Sequence, residues 1–199
     1  DGLGNESSAS YNTMWWEQLV LIAELTAKYG DGKYDLYQNV KFLKMLEAFA
    51  DLVMVNSQTV HIGDCSSGIA SLTLLGNVKQ LANVFEYVKN KPVAEKIAKY
   101  IALYYNYKLD SLNKGIFFDD PEGLGKEIMQ FVPDKYGFTE SKMLGGYGFA
   151  ALRAGKNFES VSSTTENNNL RDFWMYFGGA KSHRHSAALN LGIESYGLN

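Results

Sequence analysis

The chain has 199 residues, 46% of them hydrophobic, which is enough for one substantial core or parts of two. Lysine plus arginine number 19 against 22 aspartate plus glutamate, a net charge of −3 without the basic surplus that holds nucleic acid, and no apolar run reaches the roughly 18 residues of a membrane helix. The single cysteine, Cys65, excludes an internal disulfide and a multi-thiolate zinc site but leaves the compartment open, because a core of this size needs no cross-link.

The start, Asp1 to Ser10, is polar and glycine-containing, with neither the basic nor the apolar stretch of an export signal. Both ends read as interior positions, so the chain is expected to be a fragment of a longer protein. From Met14 to Lys28 the residues Trp15, Leu19, Ile22 and Leu25 recur every three or four positions, which predicts a first helix with that stripe buried, ended by Gly30 and Gly32. Between Asn39 and Val55 a second helix is striped by Phe42, Leu46, Phe49 and Val53, with Leu43, Ala50 and Met54 widening the buried face. A polar stretch from Asn56 to Gly68 follows, and Ile69 to Leu75 reads as a short apolar helix. Asn77 is placed to cap the next helix, whose stripe is Val78, Leu81, Phe85 and Val88. Pro92 opens another, through Val93, Ile97, Ile101 and Tyr104. Asp120 and Pro121 form a cap and first position for a shorter helix ending near Phe131. Successive helices on short connectors predict antiparallel neighbours.

After Pro133 the period changes from about 3.6 to 2, the main boundary of the chain. Gly145 to Ala154 alternates Tyr147, Phe149 and Ala151; Leu170 to Phe177 is rich in Phe, Trp and Tyr; Ala187 to Tyr196 alternates Leu189, Leu191 and Ile193. These predict three strands, the first two separated by a long polar loop from Asn157 to Asn169. The expected organisation is a helical portion over 1–140 and the start of an antiparallel sheet domain over 141–199.

His183 and His185 are two of only three histidines in the chain. At i and i+2 of a strand both imidazoles point to one face, where they either converge on a ligand or divide between metal and substrate; the plain alternative is a basic surface turn with Lys181 and Arg184. In the opening segment Glu6, Ser10, Tyr11 and Asn12 fall at a helix N-terminus. Ordinary capping by Ser10 competes there with Tyr11 as a proton donor or acceptor, a role for which a phenol needs a nearby cation or metal at neutral pH. His61, Asp64 and Cys65 share a loop whose Gly63 suits a tight turn, so a structural loop competes with ligand binding. No phosphate loop, dinucleotide fingerprint or nucleophile elbow is present.

Three runs taken together resemble the heparinase II/III-like polysaccharide lyases. FWMYFGGAKSHRHSAALNLGIESYG is similar to that family's strand ending in Gly-Gly, then His-x-His, then an alternating strand. DGLGNESSASYNTMWWEQL resembles its Asp-Gly, Glu-x-Ser, Ser-x-Tyr stretch, and HIGDCSSG its Gly-Asp loop. The signals stand in family order and span essentially the whole chain.

The resemblance implies a mainly α chain with C-terminal β: an incomplete α/α toroid of helical hairpins followed by the first strands of an antiparallel β-sandwich. It implies cleavage of a uronic-acid polysaccharide, a heparin-type glycosaminoglycan or alginate, by β-elimination, in a periplasmic or secreted bacterial protein. Tyr11 then matches the catalytic tyrosine, His183 the catalytic histidine and His185 a ligand of a divalent metal ion, zinc or calcium, whose further ligands lie outside this chain. Glu6, Asn12, His61, Asp64 and Arg184 are the expected substrate-binding residues, and a homodimer is compatible with the pattern. Two departures stand out. Ala187 occupies the place of a common aspartate, and the group that neutralises the uronate carboxylate would precede Asp1. Two alternatives are a non-catalytic carbohydrate-binding or scaffold module, and an α/α-barrel glycoside hydrolase, which needs two carboxylates a fixed distance across the sugar, a pairing that Glu6, Asp31 and Asp64 do not show in the sequence. The lyase reading requires Tyr11 and the paired histidines to face each other across one sugar-sized gap.

Overall fold

The computed structural model describes residues 1–27, 29–54, 59–64, 78–110, 112–113, 122–132, 140–155, 171–179 and 189–195. Among them the chain is mainly helical with a C-terminal antiparallel sheet. Five helices, α1 (Ala9–Ala27), α2 (Val40–Asp51), α3 (Val78–Val88), α4 (Ala94–Tyr104) and α5 (Leu124–Gln130), precede four strands, β1 (Lys142–Leu144), β2 (Phe149–Ala154), β3 (Arg171–Tyr176) and β4 (Asn190–Ser195). No described helix is long and apolar enough to cross a membrane.

The first helix corrects two expectations. It begins at Ala9, so Ser10 lies inside it rather than capping it. Its buried face is Ala9, Asn12, Thr13, Trp16, Val20 and Ala23, about one residue round from the expected stripe; Trp15, Ile22 and Leu25 are exposed. The helix is apolar on nearly every side, so periodicity alone does not choose between its faces.

In α2 the stripe is buried as expected. Asn39 caps it through Oδ1, which accepts from the amides of Lys41 at 2.9 Å and Phe42 at 3.4 Å. The helix stops at Asp51, however, and the buried Val53 forms an antiparallel bridge with Thr59. Leu81, Phe85 and Val88 of α3 and Val93, Ile97 and Ile101 around α4 fill the helical core, but Tyr104 is exposed and Tyr100 takes the buried place. The expected helix start at Asp120 and Pro121 lies outside the described residues. There α5 is entered three residues later, from Gly123 at φ 83°, a left-handed geometry that glycine adopts freely. Ile69 to Leu75, Asn77 and the loop from Asn157 to Asn169 are likewise outside the described residues.

Under α1 the ring of Tyr37 stacks on Tyr87, centroids 4.6 Å apart, with Glu24 beside them. Burial raises the phenols of both tyrosines above the ordinary range. Burial also pushes the Glu24 carboxyl up, offset in part by a hydrogen bond with Asn83. A carboxyl raised in the folded state contributes stability that is complete below its unfolded pKa and is lost as pH rises through the folded one. Glu24→Gln is therefore expected to raise the melting temperature at neutral pH and to flatten its fall from acidic to neutral pH. Thermal melts of the two proteins in parallel buffers check this, and identical pH profiles would refute it.

The sheet runs in the order β1-β2-β3-β4, each neighbour antiparallel. β1 was not expected; it forms a hairpin with β2 across the Gly145–Gly148 turn. The inner face carries Leu144, Phe149, Ala151, Trp174 and Tyr176, which form a second core with Leu52 and Met54 after α2, Val60 and Ile62 of the 59–64 loop, and Ala9 of α1. The outer face carries Met143, Leu152, Phe173, Leu191 and Ile193, all exposed. The apolar alternation read for this strand, Leu191 and Ile193, therefore points outward. Inward its register places Gly192 against the Trp174 indole, where a Cβ would lie 2.2 Å from the ring.

Arg153 joins sheet to helices. It is 8% exposed, and its guanidinium donates to the carbonyls of Asp51 and Val53, both at 2.8 Å, and of Glu140 at 3.1 Å.

Candidate functional site

Three separate stretches meet at one end of the second core. The first is the N-terminal segment, folded back on the opening turn of α1 by Asn12. The Oδ1 of Asn12 accepts from the Gly4 amide at 2.7 Å, and its Nδ2 donates to the carbonyls of Glu6 at 3.0 Å and Ser8 at 3.1 Å. Asn12 is 3% exposed, so its amide fixes the loop that carries Glu6 and reaches a ligand only through that loop. The close approach depends on glycine at one more place: a Cβ on Gly2, at φ 99°, would lie 2.2 Å from the Lys44 carbonyl oxygen of α2.

The second stretch is the β1–β2 turn with the end of β3. The Tyr147 amide donates to the Asp1 carboxylate at 2.9 Å, and the Tyr147 hydroxyl donates to the Ser7 carbonyl. The Phe177 amide donates to the Gly148 carbonyl at 2.7 Å. Gly178 lies so close that a Cβ on Gly148 would fall 2.2 Å from its Cα. The first glycine of the Gly-Gly after β3, Gly178, thus has a packing reason, since a Cβ on it would lie 2.6 Å from the Tyr147 carbonyl oxygen, whereas Gly179 has open space around it. Gly178 lets the strand end press on the turn that holds Ser7, just before the helix carrying Tyr11.

The third stretch is the 59–64 loop. Val60 and Ile62 anchor it in the second core, while His61 and Asp64 are exposed. Asn190, at the start of β4, donates through Nδ2 to the His61 carbonyl at 3.1 Å. Tyr11, half-buried on the first turn of α1, sits two residues beyond Ala9 of the same core.

Of the expected site residues, then, Glu6, Tyr11 and Asn12 are held on one segment, and His61 and Asp64 on a loop bonded to the sheet. His183, Arg184 and His185 lie outside the described residues, as does Cys65. Among the described residues no group of three or more His, Cys, Asp or Glu side chains comes together as a metal site. The two-carboxylate alternative loses Asp31. It lies in the turn after α1 while Glu6 precedes that helix, a separation of about 28 Å for 19 residues at 1.5 Å rise, against the roughly 5–10 Å that glycoside hydrolysis needs.

Sequence reading missed a cavity of about 380 Å³ between the N-terminal segment, α1 and α2, lined by Gly2, Gly4, Asn5, Glu6, Asn12, Trp15, Leu19, Met45 and Phe49. The signal was the adjacent pair Trp15 and Trp16, only one of which a helix buries on a single face. No protein-family model, no curated protein and no solved structure matches this chain.

Proposed function

We propose that this chain carries part of the active site of a polysaccharide lyase that cleaves a uronic-acid polysaccharide by β-elimination, on an α/α toroid joined to an antiparallel β-sandwich. The observation that carries the reading is the meeting of the Glu6–Asn12 segment, the His61–Asp64 loop and the sheet end next to Gly178 and Asn190. These are the stretches whose sequences resemble the lyase family, and they lie hundreds of ångströms of extended chain apart only in the unfolded state. The exposed apolar outer face of the sheet supports the sandwich, since such a face suits a second sheet packed about 10 Å away.

Elimination requires the uronate carboxylate to be neutralised so that the C5 proton becomes acidic. A base removes that proton, its electron pair forms the C4–C5 double bond, the C4–O bond breaks, and an acid protonates the departing oxygen. In this proposal Tyr11 is the acid, and the base as well if it returns the same proton, with His183 as its catalytic partner. Glu6, His61, Asp64 and Arg184 bind sugar hydroxyls and carboxylate, and Asn12 holds Glu6 in place. A divalent ion, zinc or calcium, bound by His185 would supply structural support and local positive charge; no step above depends on it. A periplasmic or secreted setting and a homodimer belong to the same proposal.

The test is incubation of the full-length protein that carries this chain with glycosaminoglycans, alginate and a neutral glucan. Elimination creates an unsaturated uronate that absorbs in the ultraviolet, so absorbance is expected to grow with uronic polymers alone. New reducing ends without that absorbance would indicate hydrolysis, and binding without cleavage would favour the carbohydrate-binding alternative; either result overturns the lyase.

A further inference from the structure

We propose that the outward face of α1 is the contact between two copies of this chain, paired antiparallel about a two-fold axis at Ile22. The proposal gives the homodimer named above its interface, and it stands on α1 itself rather than on what the chain cleaves.

α1 has two apolar faces. At about 100° per residue, the buried face is centred roughly 170° from a second one, formed by Met14, Trp15, Leu21, Ile22 and Leu25 with Tyr29 just past the helix end. All six are exposed, from 48% at Ile22 to 76% at Leu25. Packing within the chain thus uses one apolar face of the helix and leaves the other in water. At about 200 Å² for a large side chain, these exposures amount to about 700 Å². That exceeds the ~300–600 Å² of the largest apolar patch on a typical monomer, and it approaches the ~800 Å² that each partner buries in a stable complex.

A second copy fits because the face matches itself, as a two-fold contact requires. Trp15 and Tyr29 lie seven residues to either side of Ile22, with Leu21, Ile22 and Leu25 as an aliphatic middle. Antiparallel pairing about Ile22 sets each Trp15 against the partner's Tyr29, an aromatic pair at either end. Trp15, Gln18, Ile22, Leu25 and Tyr29 follow one another at alternate steps of three and four, the spacing of a two-helix seam. The antiparallel arrangement also lays the positive end of each helix dipole beside the negative end of the other. A lipid surface suits this face less well. Helices that lie on membranes carry lysine and arginine beside their apolar side, whereas the sequence of α1 from Ala9 to Ala27 holds Glu17 and Glu24 and neither basic residue.

Sedimentation equilibrium of the full-length protein that carries this chain tests the proposal. A dimer is expected, and Leu25→Glu is expected to raise its dissociation constant about 10²-fold or more, because pairing would bury the new carboxylate in both copies. Leu25 lies about 21 Å along the helix from Tyr11, so the variant leaves the proposed reaction site alone, and its circular-dichroism spectrum should match the parent's. A second measurement fixes the geometry. In a Cys65→Ser background, Ile22→Cys is expected to form a disulfide between copies on mild oxidation. Gln18→Cys is expected to form little, since antiparallel pairing sets it about 12 Å along the axis from its symmetry mate. A monomer at every concentration overturns the proposal, as does a dimer indifferent to Leu25→Glu or a position 18 that cross-links as readily as position 22. So does a monomer whose binding to phosphatidylcholine vesicles is lost in Leu25→Glu, which assigns the face to lipid. The ultraviolet assay separates this inference from the lyase: a dimer that depends on Leu25 but shows no elimination sinks the lyase and leaves the interface, and elimination by a monomer does the reverse.

Discussion

Under the proposed elimination, Tyr11→Phe in the full-length protein is expected to lower turnover of a uronic-acid polysaccharide by a factor of about 10² or more, the usual scale for losing a general acid or base, with the melting temperature unchanged. The substitution keeps the ring and removes one hydroxyl, so its effect on folding is small and its effect on proton transfer is large. The backbone around Tyr11 is fixed from both sides. Ala9 is buried in the second core, Asn12 binds three backbone groups, and the Thr13 hydroxyl donates to the Ala9 carbonyl at 3.0 Å. In the proposed lyase, a phenol on such a base would meet substrate with little reorganisation left to do. Steady-state rates with matched thermal melts check the result. Turnover equal to that of the parent would remove Tyr11 from the mechanism, and a large fall in melting temperature would reassign it to structure.

The helices were legible in the sequence because their apolar stripes repeat at 3.6 residues and their caps are chemically distinct; Asn39 before α2 is the clearest case. What periodicity cannot resolve is the facing of an element that is apolar all round. In α1 the expected stripe through Trp15 and Leu25 and the buried one through Trp16 and Ala23 differ by one position, and small residues, Ala9 and Ala23, mark the face on which neighbours approach closely. The same ambiguity recurs in β4. Leu191 and Ile193 alternate correctly for a strand, yet the core side belongs to Asn190 and Gly192, because Trp174 across the ladder fills the space a side chain would need. β1 was missed because three residues are too few for a period, although the glycines after it marked a turn. Of the site, the loop residues Glu6, His61 and Asp64 were readable as polar groups among turn formers, whereas the cavity was not. A cavity depends on which tryptophan is left outside, and that is settled only by tertiary packing.

Arg153→Met is expected to destabilise the chain by about 3 kcal/mol or more, read as a fall in melting temperature of roughly 6–12 °C for a chain of this size. The carbonyls of Asp51 and Val53 are orphans at the C-terminal end of α2, and a cation there complements both their lone pairs and the negative end of the helix. Methionine fills the aliphatic volume and leaves those two buried carbonyls without donors, while the carbonyl of the exposed Glu140 can turn to water. Asp172 adds to the loss: 3% exposed and directly across the ladder from Arg153, it stays buried after its cationic neighbour is gone. Arg153→Lys separates charge from geometry. An ammonium restores the charge but not a planar fork aimed at three carbonyls, so it should recover only part of the stability. A methionine variant as stable as the parent would mean that apolar contacts of the second core suffice to hold sheet to helices. If the expected loss is seen, the joint also bears on the elimination proposed above. The Ser7–Tyr147 and His61–Asn190 bonds that align Tyr11 with the sheet end cross the same seam, so at temperatures where the variant remains folded its KM for polymer should rise more than the parent's.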